Sequence, residues 1–208
     1  MNTNYNAATI VAAFNSQTYI QDKMDVQDTP LYDEQTLAAG STVNNLTANF
    51  FSNVGPQSGK SIGQTNMQTP NELRAPEAFS VFGFLFRIGE NILYADILML
   101  MNTFVFEFFM GTKVYQRSPL WLLNPGGGIY GGGVVGTTAI AATTTNWSNG
   151  YPSREGAHRL AIPVVIENKM SFYGQLNGTA TALTAAGSAG VGAFLQICLR
   201  GFYARGVQ

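Results

Sequence analysis

The sequence predicts an all-β protein: an antiparallel two-sheet sandwich, with a jelly roll the preferred version, preceded by an extended and partly helical N-terminal arm. Three observations lead there. From Ala78 onward the apolar residues recur with a period of two, the signature of strands rather than helices. Nothing in that half alternates strand with helix, which argues against a parallel α/β sheet. The strands are short and separated by Gly-rich stretches, as in sandwiches whose turns need small residues.

The arm spans residues 1–75 and the sandwich residues 76–208. In the arm Asn, Gln, Thr and Ser dominate, and the apolar pieces, such as Leu46 to Phe51, are short. Gly55, Pro56, Gly59, Gly63 and Pro70 punctuate its second half, and a short helix is possible only between Asp33 and Phe51. Around Phe82 the chain is apolar on both faces of a strand. Phe79, Val81 and Gly83 would share one face, with Phe82, Phe84 and Phe86 on the other, as suits a strand covered on both sides. Thr103 to Gly111 repeats the signal, with Phe104, Phe106, Phe108 and Met110 together. Lys113 to Arg117 continues as a short strand that Ser118-Pro119 ends. A Gly/Thr/Ala stretch from Pro125 to Gly150 reads as a contact loop or a flexible one. Strands follow at Ala161–Glu167, Met170–Leu176 and Gly192–Ala204, for roughly seven or eight in all and little helix after residue 78.

Only 11% of the 208 residues are charged and the net charge is −1, against about 25% charged in an average soluble domain. Surface that will be buried against neighbours sheds charge, whereas no global field here attracts nucleic acid or anionic lipid. The expectation is therefore no nucleic-acid and no membrane partner. Asn91 to Met110 is the most apolar run, but Asp96, Asn102 and Glu107 interrupt it, so it is not expected to span a membrane. No basic, apolar leader opens the sequence, and a soluble chain is expected. Asp22, Asp25 and Asp28 make the arm locally acidic, while Arg205 and Gln208 close the final strand. These residues are the candidate assembly contacts, an acidic arm docking on a basic neighbour, with a solvated face the simpler reading of the same charges.

Motifs that would signal chemistry fail on spacing or context. Gly55-Pro-Gln-Ser-Gly59-Lys60-Ser61 has three residues where a phosphate loop needs four, and Pro56 lacks an N–H to offer. A mobile loop is the expectation there. Gly126 to Gly131 fits the dinucleotide pattern formally, without the following helix or the acidic residue about 20 positions on. His158 is the single histidine and Cys198 the single cysteine; the first reads as a loop or strand-edge residue, the second as a small sheet residue. Asp96 and Glu107 are a conceivable glycosidase pair, more simply read as solvent-facing or paired with Arg87, Lys113 or Arg117. Phe is the commonest aromatic, with 14, and reads as core rather than base-stacking surface; only Lys113 to Arg117 interleaves basic residues with an aromatic. No catalytic residue, cofactor or metal site is assigned, and a non-enzymatic protein is expected.

Gly111-Thr-Lys-Val-Tyr-Gln-Arg-Ser-Pro-Leu120, Leu123-Asn-Pro-Gly-Gly-Gly-Ile129, Ile162-Pro-Val-Val-Ile-Glu-Asn-Lys-Met-Ser-Phe172 and the tail Leu199 to Gln208 form a recognisable series. It resembles bacteriophage virion proteins in which a strand ends near a Pro-Leu pair and a Pro-Gly turn follows. An Ile-Pro…Phe strand comes next, and the chain closes on Leu-x-Gly-x-x-x-Arg-x-Val-Gln. The resemblance covers residues 78–208; the long polar arm and the Gly/Thr loop depart from the shortest such proteins. It implies a virion structural protein of jelly-roll type (capsid, cement or decoration), located in the virion. Its partners would be copies of itself and other virion proteins. The alternative is a receptor- or carbohydrate-binding sandwich of a phage fibre or spike, stacking sugars on Trp121, Trp147 and Tyr151.

Overall fold

The computed structural model describes residues 24–37, 42–43, 50–89, 94–123, 130–133, 145–148, 158–178, 181–182 and 193–206. It is an all-β sandwich of two antiparallel sheets. The first sheet contains β1 (Met24–Asp28), β2 (Leu31–Leu37), β4 (Ala78–Ile88), β9 (His158–Ile166) and β12 (Ala193–Gly206), in the order β1–β12–β4–β9, with β2 also on β12. The second contains β5 (Phe104–Met110), β6 (Lys113–Pro119) and β10 (Phe172–Gly178), in the order β10–β5–β6. Phe50 adds a single antiparallel bridge to Gly174 at the outer edge of β10. Short ladders join β3 (Thr42–Val43) to β11 (Thr181–Ala182) and β7 (Tyr130–Gly133) to β8 (Thr145–Ser148).

Counted along the chain, β1–β2 is the first sandwich strand and the Phe50 bridge the second. Then come β4, β5, β6, β9, β10 and β12. One sheet reads first–eighth–third–sixth and the other second–seventh–fourth–fifth. That interleaving of early and late strands is the double Greek key of a jelly roll.

The described part of the arm from Met24 to Leu37 is extended and pairs along the terminal strand. Met24 faces Gly206 and Leu37 faces Ala193, with one unbroken register across both β1 and β2. The break at Thr29-Pro30 follows from Pro30, which has no N–H for a ladder bond. The stretch from Asp33, where a short helix was possible, continues as strand to Leu37. Leu31, Phe50, Phe51, Val54, Met67 and Leu73 share one buried cluster with the residues after 78. The composition change near residue 75 therefore marks no division of the core among the described residues.

A β-bulge rearranges the faces of β4. Arg200 pairs with Gly83 and Gly201 with Val81, so Phe82 is the extra residue. Alternation slips by one there. Phe79 and Val81 before the bulge, and Phe84, Phe86 and Ile88 after it, all enter the same core. The unshifted alternation predicted from sequence had opposed them. Phe82 instead joins Ala78, Phe202 and Ala204 on the outer face, edge-on to the Phe202 ring at 5.0 Å. Between the sheets, Phe84 lies 5.7 Å from Phe106 and 5.4 Å from Phe108. Each such aromatic pair adds about 0.5–1.5 kcal/mol beyond its buried area.

One helix departs from expectation. α1 (Tyr94–Thr103) precedes β5, with Asp96 in its first turn, where the positive end of the helix dipole favours a carboxylate. Ile97, Leu100, Met101 and Phe104 are buried at helical spacing. α1 packs on the 3-10 turn Leu120–Leu123 and on the β7–β8 ladder.

Candidate functional site

Asp25 and Arg205 are cross-strand partners, and the Nε and Nη2 of Arg205 each donate to Asp25 Oδ2 at 3.3 Å. Both are about half exposed, so the pair is worth roughly 0–1 kcal/mol. The acidic arm thus meets its basic partner inside one chain. Asp28, exposed, faces Phe202 on the same ladder. Asp22 and Gln208 lie outside the described residues.

Beside this seam a cleft of about 190 Å³ opens between the arm strand and the segment from Asn66 to Glu77. Leu31, Met67 and Leu73 give it an apolar lining, and Gln27, Glu72 and Glu77 a polar one. Glu77 is placed by a tight turn: it accepts the Arg74 N–H at 3.1 Å and donates its own N–H to the Arg74 carbonyl at 2.6 Å. The Tyr203 hydroxyl hydrogen-bonds Glu77; burial first, and then Glu77, raise this phenol well above its ordinary range. Sequence reading missed the cleft, because Glu72 and Glu77 come to β12 only through the return of a long connection.

In the segment expected to be a mobile loop, the lysine has a structural task. Lys60 Nζ donates to the wholly buried Asp33 Oδ1 at 2.7 Å. Asp33 Oδ2 accepts the Phe51 N–H at 2.8 Å and Gln35 Nε2 at 3.2 Å. Gly55 and Gly59, with φ of 87° and 73°, provide the left-handed turns that bring Lys60 back to β2. The ammonium faces a carboxylate, which would repel a phosphate.

The remaining chemical candidates are also held by neighbours. Glu107, buried on the outer face of β5, takes Arg117 Nε at 2.5 Å and the Asn177 side-chain amide. Asp96 sits on α1. His158 begins β9, with its Nε2 3.2 Å from Gln116 Nε2 on β6. Cys198 is partly exposed on the outer face; desolvation raises its thiol to about 11, with Arg200 pulling slightly the other way, so it is protonated at neutral pH. Tyr130 and Gly131, at the end of the glycine run, enter a strand rather than a helix. Among the described residues no three His, Cys, Asp or Glu side chains gather as metal ligands, and no helix is long and apolar enough to cross a membrane.

What the surface does present is apolar. β6 is an edge strand, and its register jumps from Gln116 to Val114, leaving Tyr115 as the bulged residue, 48% exposed. Ile162 is 80% exposed in a register jump of β9, and Trp121 is 57% exposed on the 3-10 turn. The Trp147 side chain and Tyr151, the other proposed sugar platforms, lie outside the described residues. Comparison with known protein families, curated proteins and solved structures finds no match.

Proposed function

We propose that the chain is a non-enzymatic structural protein of a bacteriophage virion, capsid-associated as capsid, cement or decoration protein, acting through subunit–subunit contacts. The observation that carries this reading is the double Greek-key strand order, an architecture shared by many capsid domains. Because one fold hosts many functions, the reading also draws on the sequence resemblance and on the surface. The charge deficit and the large apolar side chains exposed at Ile62, Val114, Tyr115, Trp121 and Ile162 suit surfaces that will be covered. The test has two parts: light scattering and electron microscopy of the purified full chain, and mass spectrometry of density-purified virions. Concentration-dependent oligomers and a stoichiometric presence in virions are expected. A stable monomer that is absent from virions overturns the proposal.

A further inference from the structure

Two opposite flanks of the sandwich carry complementary features. On one, the cleft beside β1 has the apolar lining Leu31, Met67 and Leu73 with Glu72 and Glu77 alongside, and the exposed Asp28 on the same strand. On the other, the β6 edge presents Tyr115 between the exposed Lys113 and Arg117. The sheet order β1–β12–β4–β9 places β1 and β9 at opposite edges, and the Gln116–His158 contact puts β6 on the β9 side. A surface on one flank therefore cannot meet its complement in the same chain.

We infer that the β6 edge of one copy docks into the β1-side cleft of a second copy, with Tyr115 as the anchor. This deepens the assembly reading above and rests on it. The size fits: a cavity of ~150 Å³ accepts a benzene ring, and the cleft offers about 190 Å³. The charge fits: Lys113 flanks the aromatic, and on the receiving rim Glu72 and Glu77 outnumber Arg74. The backbone fits: a bulge at a sheet edge re-aims one side chain, and here that residue is the exposed tyrosine. Aromatic anchors with a charged rim are the usual composition of an interface hot spot. Since donor and acceptor lie on opposite flanks, the contact is heterologous and propagates from copy to copy until it closes in a ring or runs on. A single-stranded nucleic acid stacked on Tyr115 is disfavoured, because Arg117 is engaged by Glu107 and the strand carries no second aromatic.

Sedimentation of the full chain over a concentration series tests this with three variants, each checked for native circular dichroism. Tyr115→Ala raises the half-assembly concentration at least about tenfold, as loss of an anchor does. Lys113→Glu and Glu72→Lys each weaken assembly, and the double variant K113E/E72K regains it, a rescue that a merely structural role would not produce. Folded single variants that assemble like the parent overturn the docking while leaving the assembly reading in place. A parent chain that stays monomeric overturns the docking, and one that is also absent from virions overturns both. Unchanged assembly by Tyr115→Ala, with loss of binding to a 12-nucleotide single strand, replaces the docking with a stacking surface.

Discussion

Replacing Lys60 by methionine isolates one buried charge and gives the sharpest stability prediction. Asp33 is wholly buried and takes one charged donor, Lys60 at 2.7 Å, and two neutral ones, the Phe51 N–H and Gln35. Methionine keeps the apolar stem and removes the ammonium, leaving a carboxylate with neutral donors alone. Breaking a buried pair in this way costs about 3–5 kcal/mol. The Lys60 side chain retains 12% exposure, which gives water a path to the vacated position, so the low end, about 3 kcal/mol, is expected. In a domain of this size each kcal/mol moves Tm by roughly 2–4 °C, giving a fall of roughly 6–12 °C.

Urea unfolding followed by tryptophan fluorescence, at one fixed protein concentration because assembly stabilises by mass action, measures the loss. The double variant Asp33→Asn/Lys60→Met supplies the control. An amide oxygen still accepts the Phe51 N–H, and no charge remains buried, so it should recover to within about 1 kcal/mol of the parent. A Lys60→Met loss below about 1 kcal/mol, or a double variant no more stable than the single, refutes the assignment of this pair as the anchor of the connection.

Cys198 titrates near 9.0 when exposed and at about 11 in the fold. The native state thus holds its proton longer, and stability falls as pH rises from about 9 to about 11; Cys198→Ser removes that component in pH-dependent melts. A thiol reagent at pH 8 should label Cys198 far more slowly in the native chain than in urea, and equal rates would contradict its burial. At Gly201 a Cβ would lie 2.0 Å from the Ser80 carbonyl oxygen and 2.8 Å from the Phe79 ring. Gly201→Ala should cost about 3 kcal/mol by overpacking, read by the same urea titration. Trp121→Ala should leave stability within about 0.5 kcal/mol and leave assembly intact; Trp121-dependent signal on a glycan array would favour the receptor-binding reading instead.

Legibility in the sequence followed how local the determining physics is. The alternation of Phe104, Phe106, Phe108 and Met110 against Val105, Glu107 and Phe109 was readable because each residue's face depends on neighbours two positions away. β4 was readable as a covered strand but not in its faces. The slip at Phe82 is fixed by Gly201, over a hundred residues on, whose missing side chain admits the Ser80 carbonyl. α1 was hidden by its own apolarity. Ile97, Leu98, Met99, Leu100 and Met101 leave no polar face to mark a helical period, although Ile97, Leu100, Met101 and Phe104 hold the spacing. The cleft and the Asp33–Lys60 pair were invisible for another reason: their members meet only after the chain returns across the sheet edge. Spacing alone argued against Lys60 as a phosphate ligand, yet it could not name Asp33 as its partner.

Composition divides the chain at residue 75, but the ladder and the core do not, and deleting residues 1–75 decides between the two descriptions. The deletion strips β1 and β2 from β12, whose register with them is unbroken from Gly206 to Ala193, and turns a central strand into an open edge. It also removes Leu31, Phe50, Phe51, Val54, Met67 and Leu73 from the core. At roughly 1.5–3 kcal/mol for each buried apolar side chain, the loss is on the order of 10 kcal/mol, comparable to the whole stability of a typical domain at about 5–15 kcal/mol. The fragment 76–208 should therefore lack cooperative unfolding and near-ultraviolet dichroism. A fragment 24–208, which keeps the ladder and every described core residue, should retain both. A cooperatively folding fragment 76–208 would show that the arm strand rides on a finished sandwich, free to be exchanged between copies. Its collapse would mean that the arm is the first strand of the fold and that contacts between copies form on the finished sandwich rather than by arm exchange, the Tyr115 edge foremost among them.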